Sequence, residues 1–401
     1  MTPATVPIVD LTDLGFEEGA HLLVRRALKD LPPGAELGVA GRGRDLPDRL
    51  SEWCGEHGHG VRPADDPDSG VRAWVVRGTG DGRWAEARRA GGPAPDGIVP
   101  RADPGWGLAA RGALVEPGGP ALPCDLIDRD LIWADIAPGL YTSAAAAQWN
   151  PDVAIPWDAE FTLPDELERA VVQVMTYLAE NEQAALIVPA RLLGRIHPHF
   201  REVQQLLAVQ VADEARHLEV FSRRALLKGR ALGTSSAGGR ESLATLIAEP
   251  DFSLASFLLS VLGEGSLLNL LSFLDRHAPD PVTRQVTRLA RQDEARHVAF
   301  GVAHIQHQAA VDPGLHGRLR AAVERRHDAL SGTAGLGEDV LEALVVLAAG
   351  EWTPRGVRRG YERVRLLQRE MYEGRRHRLI RLGFPADEAA ELSALHTRNF
   401  M

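Results

Sequence analysis

The pentapeptide Asp-Glu-Ala-Arg-His occurs twice in this chain, at Asp213–His217 and Asp293–His297, each inside a long segment of helical apolar periodicity. On an α-helix, residues three apart project from one face, one turn apart. Glu214 and His217 therefore form one pair of donors, and Glu294 and His297 a second. A single copy would read equally well as a solvated helix face with local charge pairs. Two copies do not, because Glu214 lies on the stripe of Leu207, Val211 and Phe221, and Glu294 lies with Val286, Ala290 and His297. Two Glu-x-x-His helices, completed by a lone Glu on each of two others, make a four-helix bundle that binds two metal ions between its helices.

Registering the two halves supplies the lone carboxylates. The pentapeptides lie 80 residues apart (294 − 214), and an apolar helix interrupted by an acid precedes each one. In the second half only Glu264 is available, sharing a face with Phe257, Val261, Leu267 and Leu271. In the first half the choice is Glu180 or Glu182, which differ by roughly 200° around the axis and cannot both face the core. Met175, Leu178, Glu182, Ala185 and Leu186 form one inward stripe, so Glu182 is preferred and Glu180 is the alternative. Gly263 and Gly265 bracket Glu264, which suits close helix packing, or else room for a small molecule beside the acid or a local helix distortion that lets Glu264 move.

Charge arithmetic points to metal. Four buried carboxylates without compensation would be costly or would shift their pKa until neutral. Two divalent cations cancel four Glu charges and leave both imidazoles neutral, as ligation requires. Mixed oxygen and nitrogen donors suit iron or manganese better than structural zinc, which prefers a closed tetrahedron with thiolates. Asp213 and Asp293 each precede a ligand Glu and are placed to accept the outer imidazole N–H across the bundle.

Residues of about 160–310 resemble the ferritin-like di-iron superfamily, and within it the branch of oxygenases and ribonucleotide reductase small subunits. The run Ala290-Arg-Gln-Asp-Glu-Ala-Arg-His-Val-Ala-Phe-Gly301 carries the resemblance, with Ala212-Asp-Glu-Ala-Arg-His-Leu218 as its partner. The resemblance implies Glu182, Glu214, His217, Glu264, Glu294 and His297 as ligands of two iron ions, with manganese also accommodated. It implies O2 as co-substrate, reductive O2 activation at the metal pair, oxidation of a bound small molecule, and homodimers as a common assembly. Where radical-generating members place a Tyr one turn after the first ligand His, this chain has Phe221. Where arylamine N-oxygenases carry an extra His one turn before the last ligand Glu, it has Ala290. His304, two turns beyond His297, reads as a hydrogen-bonded core His rather than a seventh ligand. Leu267, Leu268, Phe221 and Phe300 are expected to wall an apolar pocket.

With 401 residues, 44% of them hydrophobic, the chain can bury cores in two or three domains. We expect a small α/β sandwich over 1–79, an irregular connector over 80–160, the dimetal bundle over 161–312 and accessory helices over 313–401. The N-terminal expectation is a strand over Val6–Leu11, a helix over Glu17–Leu31, a strand over Ala35–Ala40, a helix over Leu46–His57 and a strand over Val71–Arg77. The phrases Val9-Asp-Leu-Thr-Asp-Leu-Gly15 and Trp53-Cys-Gly-Glu-His-Gly-His-Gly-Val61 are similar to a TusA-type sulfur-carrier domain. That family's active Cys-Pro-x-Pro is replaced by Phe16-Glu-Glu-Gly-Ala20, and Cys54 reads as a small buried side chain.

The connector is expected to hold strand-like pieces such as Asp125–Ala134. It is also expected to pack on the bundle through Trp106, Trp133 and Trp149, with Leu131–Tyr141 capping the metal end. Helices are expected at about His316–Leu330, Gly337–Ala349, Pro354–Leu382 and Ala386–Ala394, the third with a solvated Arg face. The apolar end Leu395–Met401 is expected to dock on the core or a second subunit.

A net charge of −10 argues against a nucleic-acid surface. No N-terminal signal and no uninterrupted apolar run long enough for a bilayer are evident, so a cytoplasmic, non-membrane protein is expected. Cys54 and Cys124 make neither a metal pair nor a disulfide framework. The leading function is therefore a non-haem di-iron monooxygenase or oxidase acting on an organic metabolite. Its electrons would come from an external ferredoxin or flavin reductase, since the chain has no dinucleotide motif or cluster cysteines of its own. The alternatives are a metal-storage or peroxide-detoxifying protein, and a metal-stabilised sulfur-relay scaffold.

Overall fold

The computed structural model describes residues 6–64, 70–79, 84, 86–330 and 337–395. The expected docking segment at the C-terminus lies outside them from residue 396 onward. The chain forms two compact units, one of Met1–Pro93 with Gly105–Ala121 and one of Ala94–Pro104 with Leu122–Met401.

The first unit holds β1 (Ile8–Asp10), α1 (Ala20–Lys29), β2 (Glu36–Ala40), α2 (Leu46–Glu56), β3 (Gly60–Pro63) and β4 (Val71–Val76). The sheet order is β1-β2-β4-β3, parallel between β1 and β2 and antiparallel elsewhere. Alternation in β4 sends Val71, Ala73 and Val75 inward. Ala73 and Val75 meet Val24, Leu28, Leu50 and Trp53 of the helices in one small core. Helix α1 starts three residues later than its periodicity suggests, because Gly19 takes a left-handed φ of 103° and leaves Phe16–Glu18 as a separate 3-10 turn. Strand β3 was not expected, being short, partly polar and closed by Pro63, as suits an edge strand. A two-stranded ribbon, β5 (Arg88–Arg89) with β6 (Leu114–Val115), completes this unit.

In the second unit the expected strand over Asp125–Ala134 is corrected to isolated bridges, Arg101 with Asp128 and Leu126 with Ile196, followed by a 3-10 turn at Arg129–Leu131. The connector is also less irregular than its composition suggests. It forms α3 (Ala137–Ala146) and α4 (Pro151–Ala154), and α3 lies against two of the bundle helices introduced next. Proline at the first turn and a run of alanines favour α3 without producing an amphipathic pattern.

The bundle is made of α5 (Asp165–Leu193), α6 (Arg201–Leu226), a composite third helix and α10 (Pro281–Val311). The composite helix runs from α8 (Phe252–Ser256) through a π-helical stretch (Phe257–Glu264) into α9 (Gly265–His277). Helix α5 packs along α6, and α10 along the composite helix. Asp280 caps α10 and Asp251 caps α8, each side chain accepting a backbone N–H of the first turn. Helices α7 (Ala237–Ala248), α11 (Leu315–Leu330), α12 (Glu338–Ala349), α13 (Pro354–Arg381) and α14 (Ala386–Leu395) surround it. Val340, Leu344 and Leu347 of α12 join Val171, Met175 and Leu178 of α5 in the main core.

Close packing is seen at Gly265 and a helix distortion at Glu264. The helix is distorted into π geometry up to Glu264, and a Cβ on Gly265 would lie 2.5 Å from the Arg378 guanidinium. Phe252–His277 is a 26-residue helix with an 18-residue window of mean hydropathy 1.7, enough by length and composition to cross a membrane, although Glu264 interrupts its apolar run. It is apolar because it is the inner helix of the bundle, with 78% of that window buried inside the protein.

Candidate metal centre

Four helices deliver six donors to one place. Glu182 comes from α5, Glu214 and His217 from α6, Glu264 from the end of the π-helical stretch, and Glu294 and His297 from α10. Each is at most 3% exposed. Their atoms form two overlapping groups, Glu182–Glu214–His217–Glu294 and Glu214–Glu264–Glu294–His297, each with donor atoms within 4.8 Å of one another. Glu214 and Glu294 belong to both. The structure thus brings together all six of the residues expected from the sequence, and Glu180 stays outside both groups.

The imidazoles point inward through Nδ1. His217 Nδ1 lies 3.2 Å from Glu214 and 3.3 Å from Glu294, and His297 Nδ1 lies 3.0 Å from Glu214 and 3.5 Å from Glu294. Their outer nitrogens cross the bundle. His217 Nε2 is 3.1 Å from Asp293, and His297 Nε2 is 3.3 Å from Asp213. Each aspartate thereby fixes the ring of the other helix's His, as the order of residues in the pentapeptide suggested.

The arginines of the repeat complete this outer layer, a role not expected from the sequence. Arg216 donates to both aspartates and, at 2.6 Å, to Gln148. Arg296 also bridges Asp213 and Asp293. Gln148 donates to Asp213 at 2.8 Å, and the half-buried Trp149 indole donates to Asp293 at 2.8 Å beneath the Arg216 guanidinium. Both residues follow α3 and lie beyond Leu131–Tyr141, the segment expected to cap the metal end, whereas Trp149 packs on the bundle as expected. Gln210, one turn before Glu214, donates to Glu264 at 3.1 Å, and its helical spacing was the signal for it.

Electrostatics inside the centre are unbalanced. Burial, then the Glu294 and Glu214 charges, push the Glu182 carboxyl well above the usual range, and burial and Glu294 do the same to Glu264. Burial opposes charge on both imidazoles, yet the facing Asp and Glu groups outweigh it and raise both. Glu214 is held low against its own burial by the two histidines. Glu214 Oε1 and His297 Nδ1 face only each other at 3.0 Å, and both oxygens of Glu182 and Glu294 with one of Glu264 make no well-aligned hydrogen bond among the described residues. Buried acceptors are nearly always satisfied, so such a concentration marks a place shaped for ligands outside the chain. Two divalent ions, sharing Glu214 and Glu294, would neutralise four carboxylates and release the protons now held.

A narrow cavity of about 20 Å³ reaches the centre from one side. It is walled by Ala185, Leu246, Leu259, Gly263 and Leu267, with Tyr177 and Asn181, and it ends on Glu182 and Glu264. Of the four residues expected as its wall, only Leu267 takes part. Phe221 packs near the His217 ring, Phe300 stacks on His304, and Leu268 is partly exposed elsewhere on α9. His304 is a core residue, as expected. Its nitrogens meet Ser253 Oγ at 2.8 Å and the Trp133 carbonyl at 3.0 Å, and burial pushes its pKa down to about 4.

No known family profile matches the chain, and no curated protein matches it. Among solved structures, it is similar to mutants of an R2-like ligand-binding oxidase with aerobically reconstituted Mn/Fe cofactor. One is 18% identical, over 65% of this chain and 91% of that chain, with a TM-score of 0.41. Another is 20% identical, over 61% and 92%, with a TM-score of 0.45. It is likewise similar to a Synechococcus protein with aldehyde deformylating oxidase activity, at 18% identity over 57% and 96%, with a TM-score of 0.42.

Proposed function

We propose that this chain is an O2-dependent oxidoreductase that binds two iron ions, or manganese in place of one or both, and oxidises a small organic molecule. The observation that carries the reading is the pair of overlapping donor groups sharing Glu214 and Glu294, with unsatisfied inner oxygens beside an apolar cavity. Oxygen and imidazole donors with no thiolate favour iron or manganese over structural zinc. When bound, such a pair supplies the electrons and Lewis acidity for reducing O2.

The chain's own residues do the rest. Asp213 and Asp293 hold the outer imidazole nitrogens, so that Nδ1 stays free for ligation. Gln210 steadies Glu264, which sits where the π-helical stretch gives its backbone room. The aliphatic wall excludes bulk water from the side on which Glu182 and Glu264 face the cavity. An external electron donor fits a chain whose two cysteines are free and lie one in each unit. The hydrogen-bonded series Trp149–Asp293–His217 links a half-buried indole to the centre for such a donor. Free thiols also suit a reducing compartment such as the cytoplasm. For the N-terminal unit, its two-layer order supports the sulfur-carrier-like reading. The buried Cys54, whose thiol burial pushes up to about 11, supports docking rather than persulfide transfer.

The test is anaerobic Fe(II) loading of the purified chain, metal counting, and rapid mixing with O2. About two irons per chain, with a transient visible absorption, is the expected result. Fewer than about one iron per chain, or no response to O2, overturns it, and continued loading with ferric mineral indicates storage instead.

A further inference from the structure

A helix that changes from five-residue to four-residue pairing leaves one backbone carbonyl without its N–H at the junction. In the composite helix that junction lies at Glu264, where the π-helical stretch ends and α9 begins. The Gly265 N–H points to the Ser260, Leu262 and Gly263 carbonyls and not to Val261, its ordinary acceptor four residues back. Val261 is fully buried, and its carbonyl takes a donor from another helix. Arg378 of α13 gives it Nε–H at 2.7 Å.

The surroundings are shaped for this bond. Gly265 is the slot that admits the side chain, since a Cβ there would lie 2.5 Å from both Nε and Cζ of Arg378. One turn earlier on α13, Arg375 donates to Ser266 Oγ at 3.0 Å, and that hydroxyl donates to the Leu262 carbonyl at 2.7 Å. Two successive carbonyls at the junction are thus held by side chains, one directly from α13 and one through Ser266. No acid accounts for the place of Arg378. Burial alone pushes its pKa down to about 10, and its one hydrogen bond among the described residues is the one to Val261.

The position of the junction decides where Glu264 points. A π turn carries a surplus residue, which a helix can take up at any point along its length. Taken up before Glu264, it leaves that carboxylate in the register of α9. Taken up one step later, it would put Glu264 in the register of α8 and turn it by about 100°. We propose that Arg378 is a positioning residue for the metal centre. By bonding the carbonyl skipped at this junction, it fixes the π turn ahead of Glu264 and keeps that carboxylate with Glu214, Glu294 and His297. This rests on the reading of Glu264 as a metal ligand, and it makes an accessory helix part of the centre.

The test uses two single-ion backgrounds of the full chain, Glu182→Ala, which keeps the Glu264 group, and Glu264→Ala, which keeps the Glu182 group. Mn(II) dissociation constants are measured in each by competition with a chelator, with and without Arg378→Met. The substitution should weaken Mn(II) binding about tenfold in the Glu182→Ala background and leave it unchanged in the Glu264→Ala background. Arg378→Lys, which keeps a donor, should restore part of the loss. Gly265→Ala favours a helix in itself, yet it should weaken Mn(II) as Arg378→Met does, and the two together should be no worse than either. Equal weakening in both backgrounds, or weakening in neither, overturns the inference, as do additive losses for Gly265→Ala and Arg378→Met. In the metal-free chain, amide hydrogen exchange over Phe257–Leu267 should quicken about tenfold in Arg378→Met while α6 is unaffected, and unchanged exchange there overturns the inference too. Should the unsubstituted chain bind no metal, the dimetal reading falls, and the exchange comparison still tells whether Arg378 holds the junction.

Discussion

Two polar clusters are buried in this bundle and share α5, α6 and α10, and they are built to opposite specifications. Arg224 of α6, fully buried, donates to both oxygens of Glu168 on α5, to Asp280 at the cap of α10, and to the Thr283 hydroxyl. Asp280 also accepts the Thr283 N–H and hydroxyl, so none of these carboxylate oxygens lacks a partner. About four turns along α5, the Glu182 centre has the same burial and more charge, yet its inner oxygens are unpaired. Burial of charge is therefore not what marks the functional end of the bundle. The mark is incomplete satisfaction, since the Arg224 cluster is closed by the chain itself and the Glu182 centre keeps donor atoms that could hold metal ions.

The contrast can be broken most severely at the shared donors. Glu214→Ala or Glu294→Ala should take metal content from about two ions to fewer than about one per chain and abolish the O2 response, whereas Glu182→Ala or Glu264→Ala should spare one ion. Retention of two ions by Glu214→Ala would mean that the shared position is misassigned. Next comes the closed cluster. Arg224→Met leaves Glu168 and Asp280 buried without their cation and should cost about 3–5 kcal/mol in denaturant unfolding, equally with and without metal. A cost that vanished on metal loading would show that the two clusters are coupled.

A smaller effect is expected in the outer layer. Asp293→Asn or Asp213→Asn should weaken metal affinity roughly 10–100-fold, read by competition with a chelator, with little change in unfolding of the metal-free chain. The smallest effect has an inverted sign. In the metal-free chain, Glu182→Gln or Glu264→Gln removes a carboxyl that burial and neighbouring acids hold against ionisation, so stability should rise by up to about 1 kcal/mol. With metal bound the same change should destabilise. If it destabilised both forms alike, the centre would be a closed structural cluster like that of Arg224.

The parts of this fold that were legible in the sequence are those written by local periodicity. The pentapeptides, the choice of Glu182 over Glu180 and the crossed pairing of Asp213 and Asp293 all follow from 3.6 residues per turn, and the structure places them accordingly. What escaped depends on distant chain segments. Leu246 reaches the cavity from α7, some 60 residues from Glu182 (246 − 182 = 64), and no spacing rule connects them. Arg216 and Arg296 received no role from the sequence because the segment that meets Arg216, Gln148 and Trp149, was read as part of an irregular connector. Phe221 and Phe300 lie on the ligand helices as expected, but each is taken up by a neighbouring His ring rather than the cavity.

The π-helical stretch from Phe257 to Glu264 has a consequence for how this protein tolerates change. Most of the bundle is robust to a one-residue error only at its loops, because a deletion inside a regular helix turns everything beyond it by about 100°. A π-helical turn already carries a residue in excess of the regular repeat. Removing one residue between Phe257 and Gly263 would let this segment relax into an ordinary helix that packs acceptably on α10. The protein would remain folded, and Glu264, at the junction with the regular helix α9, would keep facing Glu294. The stretch is thus a place in the ligand helices where the chain can lose a residue without turning a donor out of the centre, and the same deletion inside α6 or α10 has no such reserve.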